Sequence, residues 1–319
     1  MPRDLHLFLA ATFIFGFSQS IVDSTFNNFL NETFFINNLQ RGLLELPREL
    51  PGLLTIVVSA ILFFLCSRRQ AALSNILCAI GILFIGFKFL NLNFKMSYIV
   101  AFLGFITVAV LISMMKKDEP VSMRMKFQLR REYKLYYWLT VLYGTRKQLF
   151  LTFAPWVLVT VFKQKTEILA TLLTIGGVIG IFFKPMLGKA IDKLGERFVL
   201  TTEAAILVFV CLGYGFSKSI FSETTAMFIV FACYILDQML IAVSMAWATY
   251  LQKIAVKPED VTQTLTMGVS IDHIFPIFLA VLGGFIWIKW GYQYVFLLGA
   301  IIAVINFVSA LQIKTKPHN

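Results

Sequence analysis

An all-α polytopic membrane protein is the fold class that the sequence predicts, and three observations predict it. Of 319 residues, 58% are hydrophobic and only 14% are charged, whereas soluble domains run at about 45–50% apolar and about 25% charged. Mean hydropathy is +0.79. The charged residues gather in short clusters between apolar runs of about 20 residues, the length a helix needs to cross the hydrocarbon. Each run is continuously apolar with no alternation, so helices, not a β-barrel, satisfy the backbone inside lipid.

Ten such runs follow in order. Leu5 to Leu30 opens after Arg3 and Asp4 and stops at Asn31. Gly42 to Leu65 opens after Arg41 and stops before Arg68 and Arg69, and Gln70 to Leu90 ends at the Asn91 to Lys95 link. Phe94 to Met115 ends at Lys116. Leu135 to Phe162 lies between Lys134 and Lys163, and Ile168 to Phe183 between Glu167 and Lys184. Phe198 to Phe216 starts after Arg197 and Phe221 to Leu251 ends before Lys253. Val261 to Ile288 and Tyr292 to Leu311 close the set. The N-terminal run carries no small-residue cleavage site, so it reads as an uncleaved first span and not as a signal peptide.

Lys and Arg orient these spans. Arg3, Arg68 and Arg69, the stretch from Lys116 to Lys134, the stretch from Lys184 to Arg197, Lys253 with Lys257, and Lys314 with Lys316 all fall on one side. The positive-inside rule makes that side cytoplasmic and holds both termini there, for a multi-pass protein of the plasma (inner) membrane. The net charge of +11 is thus read as membrane topology, and no nucleic-acid partner is expected. Cys66, Cys78, Cys211 and Cys233 lie in or beside apolar runs without a Cys-x-x-Cys pair, which argues against zinc and against a disulfide framework. The basic stretch divides the chain into an N-terminal bundle of four spans (1–117), a cytoplasmic linker (118–134) and a C-terminal bundle of six helices (135–319).

Between the second and third spans of the second half stands Gly188-Lys189-Ala190-Ile191-Asp192-Lys193-Leu194-Gly195-Glu196-Arg197. With this segment, the basic linker and the span count, the chain resembles the major facilitator superfamily, whose cytoplasmic pattern is Gly-x-x-x-Asp-x-x-Gly-x-Arg. A second resemblance runs from Asp272-His273 through Pro276 and Gly283-Gly284 to Trp287, Gly291-Tyr292 and Phe296, and is similar to the family's eleventh helix and its turn into the twelfth. The likeness implies a two-bundle transporter fold with about ten helices, four and six, the first bundle lacking a helical hairpin whose junction falls near Val100 to Gly104. It also implies a gating latch at Gly188, Asp192, Gly195 and Arg197. The first-half counterpart, Leu65-Cys66-Ser67-Arg68-Arg69, keeps the basic residues and has lost the Gly and Asp.

Ionisable groups inside hydrocarbon cost about 2.5–3.5 kcal/mol each on insertion scales, so each one is a candidate for function. The first half offers Asp23, and then Glu45, Arg48 and Glu49, whose spacing of three and four residues puts them on one helix face as substrate- or proton-binding groups or as a structural ion pair. The second half offers Arg146 and Lys147, Asp237, and Asp272 with His273. Arg146 lies twelve residues beyond Lys134, about 18 Å along a helix. That depth demands a partner, and an Arg146–Asp237–Asp272 network is the economical expectation, either binding substrate or proton or fixing the bundle. Gly176, Gly177 and Gly180 read as close helix packing, and Pro47, Pro51, Pro155 and Pro276 as points of bending.

Three functions are weighed. A secondary transporter would move a small solute by alternating access, driven by protons or by the solute's own gradient. A transport-incompetent remnant or membrane scaffold would keep the fold without the flux. An intramembrane enzyme finds little support: His6, His273 and His318 form no His-Glu-x-x-His pair, and no phosphate-binding Gly-rich loop occurs. No cofactor or metal is expected. The expected partners are a small-molecule substrate, protons and the lipid bilayer. The expected state is a monomer, or a dimer where the missing hairpin leaves a face open.

Overall fold

Helices make up the regular structure, and no strand occurs among the described residues. The computed structural model describes residues 3–54, 57–58, 61–62, 65–88, 92–116 and 130–314. The expected linker lies outside the described residues as far as position 129, as do Lys117, Lys316 and His318.

In chain order the helices are α1 (Arg3–Phe34), α2 (Asn38–Leu43), α3 (Glu45–Leu53), α4 (Ser67–Lys88), α5 (Leu92–Ser113), a 3-10 turn (Arg131–Tyr133), α6 (Lys134–Thr160), α7 (Thr166–Ile220), α8 (Glu223–Ile241), α9 (Ser244–Ile254), α10 (Pro258–Trp290) and α11 (Tyr292–Ala310). Among the described residues, six helices are long and apolar enough to cross a membrane.

Two of the expected spans and one of the links between spans differ in detail. The run from Gly42 to Leu65 does not begin as one helix. Asn37 caps α2 by a reciprocal pair of bonds with Gln40, 2.8 and 2.9 Å long, and α3 then restarts at Glu45. Pro47 falls in the first turn of α3, where a missing N–H leaves nothing unpaired, and Pro51 removes a donor further along. The run from Phe221 to Leu251 is interrupted at Ala242 and Val243, whose N–H groups bond three residues back at 3.1 Å to Met239 and Leu240. The link from Gly188 to Arg197, between the expected spans Ile168 to Phe183 and Phe198 to Phe216, is itself largely helical. Helix continues through Gly188, and Gly195 alone, at φ 81°, breaks α7. A residue with a side chain strains at that φ.

Packing divides the chain into two compact units that do not follow chain order. The first holds Met1–Ile36, Val57–Met125 and Lys165–Ala170; the second holds Asn37–Ile56, Lys126–Gln164 and Thr171–Asn319. In the first, α5 packs against both α1 and α4, around Phe29, Leu30, Ala79, Ile82, Tyr98, Ala101 and Phe105. Gly104 makes room there for the Ser18 side chain.

The second unit packs α6 against α10 and α11. Its centre is aromatic: Phe150 meets Tyr214 and Phe296 edge-on with centroids 5.7 and 5.5 Å away, and Tyr214 stacks on Phe296 at 4.7 Å. Offset and edge-on ring contacts of this kind contribute about 0.5–1.5 kcal/mol beyond their buried area. Gly176 touches Gln238, whereas Gly177 and Gly180 have nothing within 4 Å. The expectation that all three mediate close helix packing therefore holds for Gly176 alone.

Candidate functional site

The polar groups of the second unit converge where residues 37–53 lie on α10. Backbone shape permits that approach. A Cβ on Gly42 would strike the Ala280 carbonyl, and one on Gly284 would fall 2.9 Å from both the Asn38 carbonyl oxygen and the Leu39 Cα. A Cβ on Gly52 would overlap the His273 imidazole. Gly42 and Gly284 thus bring two backbones into direct contact, Gly52 leaves room for the His273 ring, and polar side chains then tie the segments.

The tie begins at Asn38, whose Oδ1 accepts from Trp156 Nε1 at 2.7 Å. Buried Glu45 holds Arg41 on one oxygen and also accepts from Arg48 at 2.9 Å. Its other oxygen accepts from Gln148, which also donates to Thr152 at 2.8 Å. One helical turn on, Glu49 meets Nδ1 of His273. Nε2 of the same ring lies 3.3 Å from Asp272 Oδ1, and Asp272 Oδ2 accepts from Lys147 at 3.1 Å. A line of ionisable groups therefore runs Glu49, His273, Asp272, Lys147 across three helices, with side-chain exposure of 21% at His273, 14% at Asp272 and 17% at Lys147.

Beside it lies a second, sealed cluster. Arg146 donates from Nη1 to Asp237 at 2.9 Å and from Nη2 to Glu203 at 2.7 Å, and none of the three side chains is more than 2% exposed. Residues 146 and 147 differ by about 100° around a helix, which sends Arg146 inward and Lys147 to the open side. Both cations sit over the Tyr143 ring, at 5.3 and 5.7 Å from its centroid, and the Tyr143 hydroxyl donates to the Ile241 carbonyl at 3.3 Å, at the break after α8.

The expected residues thus fall into groups that the sequence left merged. Arg146 takes Asp237 as expected, but Asp272 does not join it: Lys147 and His273 hold Asp272. Glu45 and Arg48 pair along one helix face as expected. Asp23 belongs to the first unit, where Gln19 donates to it at 3.0 Å. In the latch segment Asp192 and Arg197 are exposed, while Glu196 between them is buried and meets Lys253 at 2.8 Å. Three participants were missed: Glu203, Arg41 and Gln148. Glu203 carried the same signal as the others, an acid inside an apolar run; Gln148 carried none, being uncharged.

The end of the second unit that carries Arg130 and Tyr133 has its own anchor. Asp260 pairs with Arg130 at 2.9 Å and accepts from the Tyr133 hydroxyl at 3.0 Å, and that hydroxyl accepts from the Val256 N–H at 3.0 Å. Burial pushes the Tyr133 phenol above its ordinary value. Among the described residues, no group of three or more His, Cys, Asp or Glu is placed to hold a metal.

No protein-family model and no curated protein matches this chain. Its fold is similar to the crystal structure of a mutant of the nucleoside transporter NupG, with a TM-score of 0.66 and 11% identity, over 96% of this chain and 99% of that one. At this identity the likeness speaks for the fold alone, an all-helical one in which six helices among the described residues are long and apolar enough to cross a membrane.

Proposed function

We propose that this chain is a secondary carrier that moves a small polar solute across the plasma membrane by alternating access, with protons as the coupling ion and both termini cytoplasmic. The observation that supports the reading is the line Glu49–His273–Asp272–Lys147. Charged side chains at membrane depth that keep 14% to 21% exposure need water or solute beside them, because lipid would cost about 2.5–3.5 kcal/mol for each. In the resting protein Lys147 pairs with Asp272, and Glu49 bonds to His273. A solute offering its own donors and acceptors exchanges with these bonds as it binds. Nucleosides are the first solutes to test, since the similar structure is that of a nucleoside transporter.

The test is uptake of a solute library headed by nucleosides into proteoliposomes, with and without an inward proton gradient, for the parent chain and for Asp272→Asn. Gradient-driven uptake that Asp272→Asn abolishes is the expected result. Well-folded protein that moves no solute and no protons would sink the carrier reading and leave the chain as a transport-incompetent relative of carriers.

A further inference from the structure

We infer that His273 is a proton-binding site that pins residues 37–53 to α10, so that the segment is held when the ring carries two protons and loosened when it carries one. The inference extends the proposed carrier reading, yet it stands on the geometry of one ring and is tested without flux.

The argument begins with what an imidazole can offer. A neutral ring donates from one nitrogen and accepts at the other, whereas the doubly protonated ring donates from both. A carboxylate accepts only. Here both nitrogens face carboxylates, Nδ1 facing Glu49 Oε2 and Nε2 lying 3.3 Å from Asp272 Oδ1. No neutral tautomer satisfies that pair: whichever nitrogen lacks its proton turns a lone pair toward an anionic oxygen. Asp272 Oδ1 is buried and accepts no hydrogen bond, from Nε2 or from any other group, so a proton on Nε2 acts on it through charge at 3.3 Å.

Charge agrees. Along Glu49, His273, Asp272 and Lys147, a protonated ring sets two cations against two anions, while a neutral ring leaves one anion in excess. Around the ring the Arg41–Arg48–Glu45 group carries one cation in excess and the Arg146–Glu203–Asp237 group one anion in excess, so together they add no net charge. Arg48 and Arg41 are spent on Glu45, Lys147 on Asp272, and Arg146 on Glu203 and Asp237. Lys253 of α9 pairs with Glu196, and α11 carries no ionisable group but Tyr292 and Tyr294.

The pin is also placed to matter. The His273 ring lies where a Cβ on Gly52 would sit, and Glu49 stands one turn from Gly52. The ring therefore grips α3 at its far end, beyond the two backbone contacts at Gly42 and Gly284. Removing a proton there turns an attractive contact into a repulsive one and frees that end first.

The experiment is hydrogen–deuterium exchange of purified full-length protein in lipid nanodiscs, reading the backbone amides of residues 37–53 from about pH 5 to about pH 8, the range in which histidine titrates, each rate normalised to its intrinsic value at that pH. The parent should lose protection by at least about tenfold across the range, with no comparable loss in α11. In His273→Ala and in Glu49→Gln the segment should show no step. A parent whose protection stays flat, or a step that persists in either variant, would overturn the assignment. Loss of solute flux in the presence of an intact step would count against the carrier reading alone.

Discussion

Arg146 and Lys147 are adjacent in sequence and live in opposite surroundings. Arg146 is sealed with Asp237 and Glu203, all at 2% exposure or less, whereas Lys147 meets Asp272 with both side chains partly open. The chemistry is alike, a cation held by carboxylates at about hydrogen-bond length. What differs is whether anything else can reach it. A sealed cluster fixes helices α6, α7 and α8 to one another, because each bond is lost only by leaving a charge stranded. An accessible cluster exchanges partners cheaply. Seven helical residues carry both kinds of site because one step along a helix turns a side chain by about 100°.

The largest effect should come from breaking the sealed side. Arg146→Met strands two buried carboxylates and should cost about 3–5 kcal/mol, seen as a lower thermal unfolding midpoint or as lost folded yield in detergent. Adding Glu203→Gln and Asp237→Asn to the same chain should restore most of the loss. An Arg146→Met protein as stable as the parent would erase the distinction between the two clusters.

On the accessible side the prediction inverts. Asp272→Asn should reduce solute flux at least about tenfold, equivalent to about 1.4 kcal/mol, while the unfolding midpoint stays close to that of the parent. A variant that unfolds as readily as Arg146→Met would show that this cluster too is structural. In the same unit, Gly284→Leu inserts a side chain into the Asn38 and Leu39 backbone and should cost about 1–3 kcal/mol. Faster exchange should then be confined to residues 37–53 and leave the Arg146 cluster untouched. The baseline is Glu223→Gln, which removes a surface pair 3.7 Å long and should shift stability by no more than about 0.5 kcal/mol.

Much of this architecture was legible in the sequence. Apolar runs bounded by Lys and Arg place the helices because lipid allows few alternatives, and the depth of Arg146 alone demanded an anionic partner. The break at Gly195 needed backbone geometry, since either glycine of the segment could have supplied it. The contact of residues 37–53 with α10 was not legible: Gly42, Gly52 and Gly284 show small residues, but not which surfaces they admit. Likewise the choice of Asp272 by Lys147 and His273 instead of Arg146 depends on rotation about two helices, which spacing within one run does not fix. Glu203 was readable by the rule that found Asp237.

The Arg146 cluster also has a history within each molecule. Its partners lie 57 and 91 residues further along the chain, so during biosynthesis the cation exists before either anion does. At about 5–20 residues per second, the wait for Asp237 lasts roughly 5–18 s. Through the first part of that interval, until Glu203 is made, α6 carries an unmatched guanidinium. Delivery of α7 and then α8 completes the cluster, so the charge of Arg146 is fully matched only once both helices have been made.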